Sequence, residues 1–204
     1  MLVIRLRNAV FLTLTGLSLM AASAQAQEVE FIPSTAAHGY AVRAYQAIWD
    51  QDGERILAAL EARTCLPFTE PNVSAIVADA TSNSGGPEHP MRLRASYAPE
   101  AKRSTLAHEL GHRHLWQLEK RLDDIDGHKT LFLVLDLVWE DVWGPEFAED
   151  RVRGESGWLS DYDYAAAWRW ARSLDSAERA RLWCELLTLN GFDTHCDTLP
   201  VFTG

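Results

Sequence analysis

Apolar side chains return every three or four positions over 34–50 and again over 54–63, the spacing of two amphipathic helices, with Ser34 placed to cap the first and Asp52-Gly53 to separate them. Residues 72–80 then switch to a β-favouring apolar run, 81–90 is punctuated by Gly, Ser and Pro, and Met91 to Tyr97 alternates like an exposed edge strand. Over 104–122 the helical period resumes: Ala107, Gly111, Leu115, Leu118 and Leu122 fall within about 80° of arc and form a stripe for burial. Further helices are predicted over 129–143, 161–173 and 175–190, the last opening with Asp175 and Glu178 in a capping arrangement and stopping at Gly191. This order predicts an α+β fold, mostly helical, with a small sheet packed against the helix at 104–122.

That helix carries chemistry beside its apolar stripe. At about 100° per residue, His108 and His112 lie about 40° apart and one turn along, so both rings can reach one cation. Glu109 sits about 60° from His112, where it can touch a water on that cation without being a ligand. Zinc held in this way lowers the pKa of its water toward about 7, and the carboxylate takes the proton as the water attacks a carbonyl. His114 points about 200° away from His112 and is predicted at the surface.

A catalytic zinc takes three protein ligands and keeps one position open. His128 is the first candidate for the third: ten helical residues from His112 to Leu122 rise about 15 Å, and six more can span about 20 Å on the way back. Glu140 competes, because a second, antiparallel helix would climb about 18 Å between His128 and it, with Asp136 one turn earlier to orient a ligand. A later acid such as Glu155 is the remaining choice.

The run Thr105 to His112 resembles the HExxH motif of zinc metallopeptidases, the zincins. Leu115 and Leu118 occupy the places where metzincins need Gly and His. The likeness is therefore to zincins whose third His sits in a loop and opens the next helix, as in Spartan-like proteases, where a Phe often follows four positions on, as Phe132 follows His128. Arg113 and His114 depart from the pattern, since zincins usually carry uncharged residues after the second His. The resemblance implies a zincin-like domain over 27–204 that hydrolyses peptide bonds, with His108, His112 and His128 on zinc and Glu109 as general base. It also implies that a strand bordering the cleft pairs with extended substrate, for which Met91 to Tyr97 is the candidate, while Glu140 stands where gluzincins place a Glu.

Composition and the chain start bear on where such a protein works. Met1 to Ala26 has the build of a secretory signal: Arg5 and Arg7, an apolar run from Ala9 to Met20 shorter than the ~20 residues of a membrane span, and Ala24-Gln25-Ala26 as cleavage site. A periplasmic or secreted protein without a membrane anchor in its mature form is expected, and Gln27 to Pro33 is a candidate prosegment. The formal charge of −10 disfavours nucleic acid and anionic membrane as partners, and the resemblance implies peptide or protein as substrate. Three Cys in an exported chain predict one disulfide, Cys184 with Cys196, the alternative being Cys65 with either. Among the eight Trp, Trp116, Trp139 and Trp143 are predicted as core, with a cleft lining as their other role, and Tyr162 and Tyr164 are both placed to offer a hydroxyl to an oxyanion. Two rivals use the same residues: a non-catalytic periplasmic zinc-binding or interaction protein, its metal closed off by a fourth ligand, and a zinc amidase acting on cell-wall peptides.

Overall fold

The computed structural model describes residues 27–86, 88–158 and 160–192, so the predicted signal at 1–26 and Cys196 lie outside the described residues. Two short alternating runs begin the fold. Val29 and Phe31 of β1 (Glu28–Pro33) and Val73, Ala75 and Val77 of β2 (Asn72–Ala78) turn to one buried face, and the strands pair in parallel from Glu28 opposite Asn72 to Pro33 opposite Val77. β3 (Met91–Arg94) adds to the other side of β2, also in parallel, with Met91 and Leu93 inward. The candidate prosegment at 27–33 is thus largely a strand of the sheet.

The buried face of this sheet is covered by α1 (Gly39–Thr64), which contacts β1, and by α2 (Pro99–His114), which contacts β3. The sheet does pack against the helix that carries His108 and His112. The predicted break at Asp52-Gly53 does not occur, and α1 runs through it. Asp52 is buried in use: its carboxylate accepts from Arg55 and, at 2.9 Å, from the Trp143 indole N–H. Gly53 lies under the Trp49 ring, where a Cβ would come within 2.7 Å of it.

Two other predicted helices are shorter than their periodicity suggests, and both breaks have tertiary causes. α2 stops at His114 and passes through one 3-10 turn to Gln117, instead of continuing to Leu122. The chain turns away because α7 (Ser176–Leu189) catches it. Asn190 accepts the Lys120 backbone N–H at 2.8 Å, and the Lys120 ammonium donates to the Leu189 carbonyl at 3.1 Å. The helix predicted over 129–143 is split into α3 (Gly127–Phe132) and α4 (Leu135–Trp143). Arg179 of α7 donates to the Leu133 carbonyl at the split and pairs with Asp136 at 2.8 Å, which takes Asp136 out of any role beside a metal. α5 (Pro145–Ser156) and α6 (Tyr164–Ser173) complete the described helices, and α7 opens on the predicted capping box.

Trp139 is fully buried in the core, as are Trp168 and Trp183. Trp143 bonds Asp52, and Trp116 lies under the Arg113 guanidinium at 4.3 Å. Cys65 is free and Cys184 is disulfide-bonded, so the pairings that used Cys65 are not formed.

His114 is not a surface residue: it is 3% exposed, stacked on Phe68 with ring centres 5.5 Å apart. The Thr64 hydroxyl donates to the Leu60 carbonyl at 2.7 Å, so it accepts from His114 Nε2–H, also at 2.7 Å, and Nδ1 is left buried without a partner. Burial therefore lowers the His114 pKa to about 4. The unfolded chain binds a proton there near pH 6.5 and the folded chain does not, so this residue's contribution is intact above that pH and is lost as pH falls toward 4. Between pH 6.5 and 5 the stability of His114→Gln should fall less steeply than that of the wild type, by up to about 1.4 kcal/mol per pH unit. Urea denaturation at a series of pH values reads this, and identical slopes would refute the assignment.

Candidate metal centre

One turn of α2 sets His108 and His112 side by side, with Nε2 atoms 3.1 Å apart. His128 joins them from the first turn of α3, and one nitrogen from each of the three rings lies within 4.8 Å of the others. No fourth His, Cys, Asp or Glu belongs to this group among the described residues. The early end of α2 makes the return of His128 easy, since only two helical residues follow His112 before the chain turns. Asp126 caps α3 by accepting the Lys129 N–H at 2.9 Å, and Gly111 lets α3 close onto α2: a Cβ there would stand 2.7 Å from Leu131 Cδ1.

Two imidazole nitrogens 3.1 Å apart are joined by the N–H of one donating to the other, or by a metal cation that takes both lone pairs. The electrostatics favour either. Burial opposes charge on His108, but the charge of Glu155 and its hydrogen bond outweigh this and raise the His108 pKa. Burial, followed by repulsion from His108 and His128, drives the His112 pKa well below its ordinary value. His128 falls to about 4, chiefly through burial. His112 and His128 are therefore neutral and have lone pairs to give, the form a metal needs.

Glu155, on α5, does not join the three imidazoles as a third ligand. It is 1% exposed and sits behind His108, accepting from Nδ1 at 3.0 Å and from the Trp168 indole at 3.2 Å. A carboxylate there fixes the tautomer that turns the His108 Nε2 lone pair toward the other two rings. Glu140 is exposed on α4 and does not belong to the group. The donor set fits zinc: tetrahedral zinc–imidazole bonds put ligand nitrogens about 3.4 Å apart, close to the spacing of His108 and His112 and a short inward shift for His128.

Arg113, which departs from the zincin pattern, points away from this centre. Its guanidinium is buried against Glu70 and donates to the carbonyls of Ser84, at 2.7 Å, and His89, at 3.1 Å, pinning the 81–90 loop. The loop in turn occupies the outer edge of β3, where Asn83 exchanges two backbone hydrogen bonds with Arg92 and the Ser82 hydroxyl accepts the Arg94 N–H at 3.0 Å. The edge of Met91 to Tyr97 is thus taken by the chain itself over these residues and is not open to a substrate strand.

Glu109 is 7% exposed and opens on a cavity of about 300 Å³. Burial lifts its pKa to about 7, against the opposing pull of His108. Arg94, Tyr97, Trp158 and Tyr164 line the same cavity. The two tyrosines separate here. The Tyr162 hydroxyl donates to Asp126 at 2.9 Å while its ring stacks on His128, whereas Tyr164 reaches His128 Nε2 at 3.1 Å from within the cavity wall. Arg94, Tyr97 and Trp158 carry no local signature, and only the fold assembles them. Comparison with protein families, with curated proteins and with solved structures finds nothing that this chain matches.

Proposed function

We propose that this chain is a zinc-dependent metallopeptidase with a zincin-like arrangement. The observation that carries the reading is the three-imidazole group flanked by a buried carboxylate that opens on a cavity. His108, His112 and His128 would hold the ion, with Glu155 orienting His108. Zinc bound there supplies Lewis-acid polarisation of a carbonyl and a water acidic enough to react near pH 7. Glu109 accepts the proton of the attacking water on a carboxylate oxygen and returns it to the leaving amine. The Tyr164 hydroxyl lies 3.1 Å from His128 Nε2 in the cavity wall, and with that lone pair given to the metal it would be free to donate to the oxyanion that develops on the substrate.

The non-catalytic alternative requires a site closed by a fourth protein ligand, and no fourth His, Cys, Asp or Glu joins the three imidazoles among the described residues. An amidase acting on cell-wall peptides would use the same groups. Export to the periplasm or beyond is proposed from the build of Met1 to Ala26, and peptide or protein is the proposed substrate in either case. The purified chain should carry one zinc, lose both metal and peptide hydrolysis to 1,10-phenanthroline, and regain both when zinc is restored. A protein that retains no stoichiometric metal after dialysis, as read by plasma mass spectrometry, would end this reading.

A further inference from the structure

The hydrolytic chemistry leaves one charged group in the cavity unused. Arg94, at the end of β3, lines the same cavity as Glu109 and Tyr164. It is held from two sides: Nε donates to the Ala80 carbonyl at 3.2 Å, and the guanidinium carbon lies 5.3 Å from the centre of the Tyr97 ring. Tyr97 is itself fixed, by the Lys102 ammonium that donates to its carbonyl and by Trp158, whose ring is stacked on it at 6.2 Å with planes 10° apart. Other arginines find acids: Arg63 pairs with Asp141, Arg113 with Glu70 and Arg179 with Asp136. Arg94 makes no ion pair among the described residues, in a chain whose formal charge is −10. It is not paired with Glu109 either, although both line the same small cavity.

A guanidinium with Nε committed still offers both Nη groups, coplanar and spaced for the two oxygens of a carboxylate. Half-buried between an aromatic ring and a backbone carbonyl, it is screened less than a surface arginine, and an incoming anion gains more from it. Keeping an unpaired cation in a partly desolvated wall costs stability, and a wholly neutral substrate would return nothing for that cost.

We infer that the cavity takes substrates bearing a carboxylate, which Arg94 binds beside the bond presented to Glu109. The inference rests on the metallopeptidase reading for what is cleaved, though not for what is bound. The carboxylate has two sources, the C-terminus of a peptide or an acidic side chain near the scissile bond.

The test uses the zinc-loaded full chain and three kinds of probe: pentaalanine with a free carboxylate, the same peptide amidated, and amidated peptides with one Asp moved along the sequence. Hydrolysis is followed by chromatography, and binding to the Glu109→Gln protein by calorimetry. A carboxylate-bearing peptide should exceed the plain amide by about 10- to 100-fold in kcat/KM, and Arg94→Gln should bring that ratio to within about threefold. Preference for the free acid identifies a terminal carboxylate, and preference for an Asp amide a side chain; either supports the inference. A ratio that is absent in the wild type or undiminished in Arg94→Gln overturns it. Zinc content and melting temperature report whether Arg94→Gln folds. If it does not, Arg94→Lys takes its place, with an expected drop in the ratio of about tenfold, and no drop overturns the inference. If no peptide is cleaved, the metallopeptidase reading falls and calorimetry decides alone. About tenfold tighter binding of an acid peptide, lost without Arg94, sustains the carboxylate site, and equal binding of acid and amide removes it.

Discussion

Glu109→Gln is expected to keep its zinc and lose about 10²- to 10⁴-fold in kcat, the range a positioned general base supplies. The side chains are nearly the same size, so packing on α2 is retained, and an amide cannot accept the proton of the attacking water. The substitution also removes a burial cost. Without metal the site raises the Glu109 pKa to about 7, so in the zinc-free protein the charged form is disfavoured and a neutral amide should leave the fold as stable or more so. Unchanged zinc content, a melting temperature of the zinc-free protein at or above that of the wild type and a collapsed kcat together are the signature of a lost base. If kcat survived, Glu109 would have no catalytic part, and the proton would have to go to another group. If zinc were lost with activity, Glu109 would be a ligand, and the assignment of three imidazoles would need revision.

What was legible in the chain was local. The period of α2 and the pitch of a helix brought His108 and His112 together without reference to any other element, and the capping box of α7 was equally readable from Asp175 and Glu178. The alternation Glu28-Val29-Glu30-Phe31 was a readable strand as well, masked by its place just after a predicted cleavage site. The errors lie where one element depends on a distant one. Nothing near Leu118 announces that α2 will end early, because the cause is Asn190, and nothing near Leu133 announces a break that Arg179 completes. His114 looked solvated because Thr64 and Phe68, which bury it, belong to other segments. Gly53 and Gly111 show the same dependence: each is a weak helix former kept where a ring or a neighbouring helix comes too close for a Cβ. The His128 assignment shows the opposite case. A helix running to Leu122 would leave six residues for the return of His128, and the end of α2 at His114 leaves more.

His128→Ala should lower zinc affinity by about 10²- to 10³-fold, and hydrolysis at limiting zinc with it. The size follows from the binding free energy of four-ligand zinc sites, about 10–16 kcal/mol, which apportions about 2.5–4 kcal/mol to each ligand. The loss should be cleaner than for either partner on α2. His128 stands in the first turn of a short helix whose cap, Asp126, and whose anchor on α2, Leu131, do not involve its ring. His108, by contrast, is tied to the buried Glu155, and removing it would leave a carboxylate without its partner in the core. Two comparisons fix the interpretation. Glu140→Ala, an exposed change on α4, should leave zinc affinity where it was, and Glu155→Gln should weaken it by about 10- to 100-fold, since it loosens His108 without deleting a donor. Stability should follow occupancy: at a free zinc concentration about 1,000 times the dissociation constant the wild type gains about 4 kcal/mol, and His128→Ala at the same concentration should forfeit most of that. Titration against a competing chelator orders the variants, and a His128→Ala protein that matched the wild type would remove α3 from the metal centre.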